Sequence, residues 1–199
     1  MLRVGVTGGI GSGKTMVCSI FSTLGIPVYN SDIRAKQIMT EHATVVEKLK
    51  FAFGSSVYTE EGTLNRKYLS DIVFNNKSKL ETLNQIVHPA VYEDLIQWYA
   101  AHLDKSYVVQ ESALVFETGS YKLLDKTILV TADEDIRIAR VMKRDHVSKE
   151  EVMVRIANQI PDSRKIELAD YVIYNNEKES LIEQVMNIDT ELKIIASRN

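Results

Sequence analysis

The sequence predicts an α/β protein, a five-stranded parallel sheet flanked by helices, with a helical insertion in its first half and a basic lid segment in its second. Three observations carry this expectation. Short β-rich apolar runs alternate with helical patterns, the arrangement that builds parallel sheets from βαβ units. The first run ends in a glycine-dense loop that opens a helix. The stretch from about 33 to 103 is amphipathic at helical spacing and contains no good strand.

Leu2–Thr7 is a buried strand that runs into a tight turn. Residues 15–24 place Val17, Ile20, Phe21 and Leu24 at helical spacing, and Gly25 with Pro27 stops that helix. Residues 26–29 form the second strand, completing a βαβ unit with a right-handed crossover. Residues 31–49 are polar and amphipathic, which predicts a helical stretch, and residues 54–62 predict a loop. Arg66–Phe74, residues 79–88 and residues 91–103 predict three further helices. The second of them closes at His88-Pro89, because proline disfavours helical geometry in the residue before it. Residues 107–110, residues 127–131 and Tyr171–Tyr174 are the remaining strands. Residues 133–143, 148–160 and 179–196 predict helices, with Ser148 and Glu151 spaced as a capping box. One domain over residues 1–199 is expected: a core of about 1–32 and 104–199, an insertion of about 33–103, and a lid of about 137–160 within the core.

The chain has 199 residues, 45% hydrophobic and 26% charged, as in soluble globular proteins. A net charge of −3 argues against nucleic acid as the main partner, since duplex binders carry a basic face. Cys18 is the only cysteine, so no intramolecular disulfide can form, which fits a reducing compartment. Nothing approaches the ~20 apolar residues of a membrane span. MLRVGVTGG has no long apolar run and no cleavage site, and a cytoplasmic protein is expected.

Gly8-Gly9-Ile10-Gly11-Ser12-Gly13-Lys14-Thr15 meets the pattern Gly-x-x-x-x-Gly-Lys-Ser/Thr. Glycines let the backbone wrap closely, so that successive N–H groups point into one nest that favours anions. The helix opening near Gly13 adds its positive end. Lys14 is expected to bridge phosphate oxygens, and Thr15 to offer its hydroxyl to Mg²⁺. The expected nucleotide contacts are Gly9, Ile10, Gly11, Ser12, Gly13, Lys14, Thr15 and Met16. The alternative is a glycine-rich turn that matches by chance; the strand before the loop and the helix after it argue against that. The motif specifies a nucleoside triphosphate and leaves the acceptor open.

A GTPase reads guanine with Asn-Lys-x-Asp, whereas Asn76-Lys77-Ser78-Lys79 lacks the aspartate and falls in the helical stretch. A motor or large ATPase needs more chain. Small-molecule kinases remain, in which a phosphate-loop core carries an acceptor-binding cap and a lid. An ATP-binding regulator that transfers nothing is the alternative from another class. Arg137, Arg140, Lys143 and Arg144 form a basic segment, with Arg137, Arg140 and Arg144 on one helix face. Cations converging on a phosphate loop neutralise the transferring group. A solvated face paired with Glu134 and Asp145 is the alternative, and Arg137 is expected to belong to it, with Arg144 expected at the phosphates. Asp32 lies just beyond the second strand, where ligands of such sheets bind. By position it fits a base for an acceptor hydroxyl and a helix N-cap equally well.

These residues resemble the dephospho-coenzyme A kinase family over nearly the whole chain. Thr7 through Thr15 is similar to the family's Thr-Gly-Gly-Ile-Gly-Ser-Gly-Lys-Ser/Thr loop, and Asn30-Ser31-Asp32 to its Asp-Ala-Asp. Gly62-Thr63-Leu64-Asn65-Arg66 resembles Gly-x-Leu-x-Arg, His88-Pro89 its His-Pro, and Leu114-Val115-Phe116-Glu117 its Leu-Leu-x-Glu. Arg144-Asp145 resembles the lid Arg-Asp, and Ala169-Asp170 with Asn175-Asn176 the closing segment. The resemblance implies transfer of the ATP γ-phosphoryl group to the 3′-hydroxyl of dephospho-CoA, with ATP and dephospho-CoA as small-molecule partners and Mg²⁺ as cofactor. It implies Asp32, Lys14 and Arg144 as catalytic residues. Arg140, Asn175 and Asn176 are implied on the nucleotide, and Asp32, Lys36, Arg66 and His88 on the acceptor. Arg155 and Gln159 resemble further lid residues. Four positions depart from the family pattern: Asn30 for aspartate, Lys36 for arginine, Ala113 for proline and Glu177 for glycine. Glu111 follows a strand and is expected to be structural rather than metal-binding.

Overall fold

The computed structural model describes residues 1–74 and 76–198. They form two compact units, residues 1–30 with 102–199, and residues 31–101. The first unit holds the strands β1 (Leu2–Thr7), β2 (Val28–Asn30), β3 (Tyr107–Glu111), β4 (Lys126–Thr131) and β5 (Tyr171–Tyr174). Its helices are α1 (Lys14–Thr23), α6 (Glu134–Asp145), α7 (Lys149–Ala157), α8 (Asp162–Leu168) and α9 (Leu181–Ala196). The second unit holds α2 (Ser31–Glu41), α3 (Ala43–Phe53), α4 (Arg66–Phe74) and α5 (Lys77–Ala100).

All five strands are parallel, in the order β2-β3-β1-β4-β5. A strand covered on both faces has no solvent side, so β1 shows no polar alternation, and Val4 and Val6 are fully buried. One face of the sheet packs Val17 and Phe21 of α1 and Val185 and Leu192 of α9 against Val4, Val6 and Tyr107. Phe21 meets Tyr107 edge-on at 6.3 Å. Truncating such a buried aromatic ring to alanine costs about 3–5 kcal/mol, so this layer is a firm frame for the strand ends. The Tyr107 hydroxyl donates to Asp189 at 2.6 Å, and burial pushes that phenol far above its usual value. Register sets Glu111 beside both Val6 and Asn30, so β1, β2 and β3 end level. That level edge is where the glycine loop leaves β1.

In the second unit, Ile38, Leu49, Phe53, Val57, Leu69 and Val87 form a separate core. Arg34 forks onto Asp94, tying α2 to α5. The helical stretch 31–49 is divided, and two expectations need correction, one here and one in the first unit. Residues 31–49 form two helices, because His42 adopts an extended backbone (φ −90, ψ 104) and starts α3. Residues 79–88 and 91–103 form one helix, α5, with Pro89 inside it. Proline removes one backbone hydrogen bond and breaks an isolated helix. Here Val87 before it and Leu95 and Tyr99 after it are all buried, so packing on both sides keeps the axis continuous. The pattern over 148–160 ends at Ala157, and a further helix, α8, follows from Asp162. The expected capping box is present: Ser148 accepts from the Glu151 N–H, and Glu151 accepts from the Ser148 N–H.

Candidate active site

The loop after β1 is shaped by its glycines and stitched by its own lysine. Gly13 precedes α1 with φ 97, left-handed geometry that L side chains rarely adopt, and a Cβ there would stand 2.2 Å from Asn175 Nδ2. Without a side chain, Gly13 offers α1 no side-chain cap. The first N–H groups of that helix keep their partial positive charge for a ligand. Asn175 follows β5 and donates from Nδ2 to the Ser12 carbonyl at 2.8 Å. Lys14 Nζ donates to the carbonyl of Gly8 at 2.8 Å and to that of Gly9 at 3.5 Å.

Glu111, at the end of β3, reaches the same place. Its Oε1 accepts from the Thr15 hydroxyl at 3.1 Å and its Oε2 from Asn30 Nδ2 at 2.5 Å. Asn30, where the family pattern has aspartate, thus donates to a carboxylate that a second carboxylate would repel. Behind them burial drives the Cys18 thiol far up, and Glu111 adds to it. A hydroxyl and a carboxylate are the hard oxygen donors that Mg²⁺ takes, and Mg²⁺ completes its shell from phosphate and water. Among the described residues no cluster of three His, Cys, Asp or Glu could hold a metal alone. Thr15 and Glu111 therefore fit a Mg²⁺ that arrives with phosphate. Sequence reasoning ranked Glu111 low because the neighbours of β3 in the sheet cannot be read from its own residues.

A cavity of about 210 Å³ is lined by Gly11, Gly13, Lys14, Thr15, Arg140 and Arg144, with Val141. Arg140 Nη2 donates to the Asn175 carbonyl at 3.0 Å and to Glu177 at 3.0 Å. Its Nη1 is buried without a hydrogen-bond partner among the described residues, which is costly unless a ligand supplies an acceptor. Arg144 is exposed and forks onto Asp145, a carboxylate that Arg155 also holds. The Arg144 guanidinium keeps that carboxyl below its usual range. Arg137 corrects an expectation: it is buried at 5% exposure and pairs with Asp162, not with Glu134 or Asp145. Met16, on α1, is exposed.

The family model described as dephospho-CoA kinase matches residues 2–180. The chain belongs to the dephospho-CoA kinase family. A dephospho-CoA kinase of Salinibacter ruber is 42% identical over 178 residues, covering 88% of this chain and 89% of the relative. Among solved structures, TT1252 from Thermus thermophilus superposes with a TM-score of 0.83 at 32% identity, over 96% of each chain. The dephospho-CoA kinase of Campylobacter jejuni superposes with a TM-score of 0.72 at 28% identity, again over 96% of each.

Within this dephospho-CoA kinase fold the closing segment is tightly built. Asn175 N–H donates to the Thr131 carbonyl at 2.8 Å, and Asn176 exchanges hydrogen bonds with Asp133. Glu177, where the family pattern has glycine, has φ 63. An L side chain is strained there, and the exposed ion pair with Arg140 is worth only about 0–1 kcal/mol. Glu177→Gly is expected to melt about 2–4 °C above Glu177→Ala, since both lose the ion pair and only alanine keeps the strain. Differential scanning calorimetry checks this; equal midpoints would rule the strain out.

The acceptor candidates stand in the helical unit. Asp32 lies in the first turn of α2, exposed, and its side chain takes no hydrogen bond from the described residues. It does not act as the N-cap that position alone allowed. Lys36 follows one turn later on α2, Arg66 opens α4, and His88 lies mid-way along α5; all three are exposed. No described helix is long and apolar enough to cross a membrane.

Proposed function

We propose that this chain transfers the γ-phosphoryl group of ATP to the 3′-hydroxyl of dephospho-CoA, giving CoA and ADP, the last step of coenzyme A biosynthesis. The observation that carries the reading is the buried, orphaned Nη1 of Arg140, a residue that lines one cavity with the glycine loop and Lys14. A buried guanidinium nitrogen without an acceptor, beside the positive end of α1, calls for an anion.

Lys14 leaves the Gly8 and Gly9 carbonyls and binds the β- and γ-phosphate oxygens. Arg140 supplies Nη1 to the phosphates, and Arg144 draws charge from the transferring group as it moves. Thr15 and Glu111 would hold Mg²⁺, which when bound shields the phosphate charge. Asn175 and Asn176 bound the nucleotide end of the site, with Met16 flanking the loop. Asp32 orients the ribose hydroxyl and takes its proton, and Lys36, Arg66 and His88 bind the acceptor. Catalysis here is positioning and charge stabilisation more than covalent chemistry. The buried, unpaired Cys18 fits a cytoplasmic setting.

The test is ADP release coupled to acceptor, measured with dephospho-CoA, shikimate, a nucleoside monophosphate and no acceptor. Turnover with dephospho-CoA is expected at least about 10²-fold above the others, the discrimination that a site built on polar contacts gives. Equal ADP release without acceptor would leave a hydrolase, no ADP release with any acceptor would leave an ATP-binding regulator, and preference for another acceptor would reassign the helical unit.

A further inference from the structure

Arg137 runs beneath the phosphate loop. A Cβ on Gly9 would stand 2.3 Å from its Nη2 and 2.7 Å from its Cζ, so the loop backbone lies directly on the guanidinium. Nε donates to the Ile10 carbonyl at 3.0 Å, and Nη1 donates to Asp162 Oδ2 at 2.9 Å. The same Asp162 oxygen accepts from the Thr131 hydroxyl at 2.5 Å, which ties the pair to the end of β4. Gln159 Oε1 accepts the Ile10 N–H at 3.0 Å. The Ile10 side chain packs on the cluster of Ile138, Val141 and Val152. One loop residue is therefore held at its N–H, its carbonyl and its side chain.

In a nest of backbone N–H groups, the direction of each depends on the peptide before it. Fixing the peptides on both sides of Ile10 fixes the start of the run from Gly11 to Thr15. A buried ion pair such as Arg137–Asp162 is at best a weak stabiliser, because desolvation offsets its attraction. Orientation of the loop accounts for the arrangement better than stability does.

We propose that Arg137 and Gln159 are positioning residues that clamp the two peptides flanking Ile10, one at its carbonyl and one at its N–H, and preset the phosphate loop for the nucleotide's diphosphate. The proposal rests on the nucleotide reading above, and titration calorimetry with AMP and ADP keeps the two apart. The quantity read is the gain in affinity from AMP to ADP, with a melting curve for every variant. Arg137→Met removes the donor and the charge but keeps the stem as far as the Nε position. Arg137→Gln keeps an N–H donor the same number of bonds from Cα as arginine Nε. Gln159→Ala removes the acceptor at a half-buried position.

The wild type is expected to bind ADP more tightly than AMP. Arg137→Met and Gln159→Ala should each lose about tenfold of that gain, the worth of one well-placed hydrogen bond, with AMP affinity changed by less than about twofold. Arg137→Gln should recover most of it. A merely structural role would lower the melting temperature and leave the gain intact. Folded Met and Ala variants with the full wild-type gain would overturn the clamp, as would a Gln variant no better than Met, which would credit the ion pair instead. If Arg137→Met does not fold, Gln159→Ala decides alone. A wild type with no gain from AMP to ADP strikes the nucleotide reading itself, whereas a gain kept in every variant strikes only the clamp.

Discussion

Lys14→Ala is expected to abolish phosphoryl transfer in a chain that still folds. The ammonium donates to the Gly8 and Gly9 carbonyls of its own loop, so its loss removes local stitching of that loop rather than core packing. A part-buried hydrogen bond contributes about 0.5–1.5 kcal/mol, which lowers the melting point of a chain of this size by only a few degrees. The effect on rate is far larger. A positioned donor to charge that develops in the transition state is worth at least about 10²–10³ in kcat. ADP release with dephospho-CoA and a melting curve measure the two effects separately. Near-normal turnover in the folded variant would remove the phosphate-loop reading.

Asp32→Asn is expected to lower kcat far more than it raises KM for either substrate. The side chain is exposed in the first turn of α2 and takes no hydrogen bond from the described residues, so asparagine should fold as aspartate does. The variant forfeits only the attraction of a carboxylate for the helix N-terminus, about 0.3–1 kcal/mol. Asparagine cannot take a proton, and a general base is worth about 10²–10⁴ in rate. A loss at the low end would mark Asp32 as a residue that orients the hydroxyl, because a loose transition state asks little of a base. Wild-type kcat in the folded variant would send the search for the base elsewhere in the acceptor unit.

The fold was largely legible because its signals are local. Leu2–Thr7 and Tyr171–Tyr174 are β-rich runs, and Ser148 with Glu151 is a cap that depends on four consecutive residues. The glycine loop was legible for the same reason. What the sequence hid depends on neighbours distant in the chain. Glu111 reads as the end of any strand until sheet order places β3 against β1. Arg137 shares a helical face with Arg140 and Arg144, yet it borders the buried stripe of Ile138 and Val141 and lies under the loop. The helix α8 is short and mostly polar, so its pattern is weak. It is anchored by Asp162 on Arg137 and Thr131, and by the fully buried Lys165 on Glu117 at 2.7 Å. Pro89 misled in the other direction, since a strong local rule lost to packing on both sides of it.

The strand order also has a consequence for the sequence of folding on the ribosome. β1 and β2 are made first, but they are not neighbours; β3 lies between them, and the other partner of β1 is β4. Neither early strand can pair until β3, residues 107–111, has been synthesised, and the other edge of β1 waits for β4 at 126–131. Residues 31–101, whose core is built from contacts among themselves, can condense while the strands wait. The ties that shape the glycine loop come later still, from Arg137, Gln159 and Asn175. The nucleotide loop is thus among the first segments to leave the ribosome and among the last to take its shape. A nascent chain stalled before residue 159 should hold a folded helical unit and an unformed phosphate site.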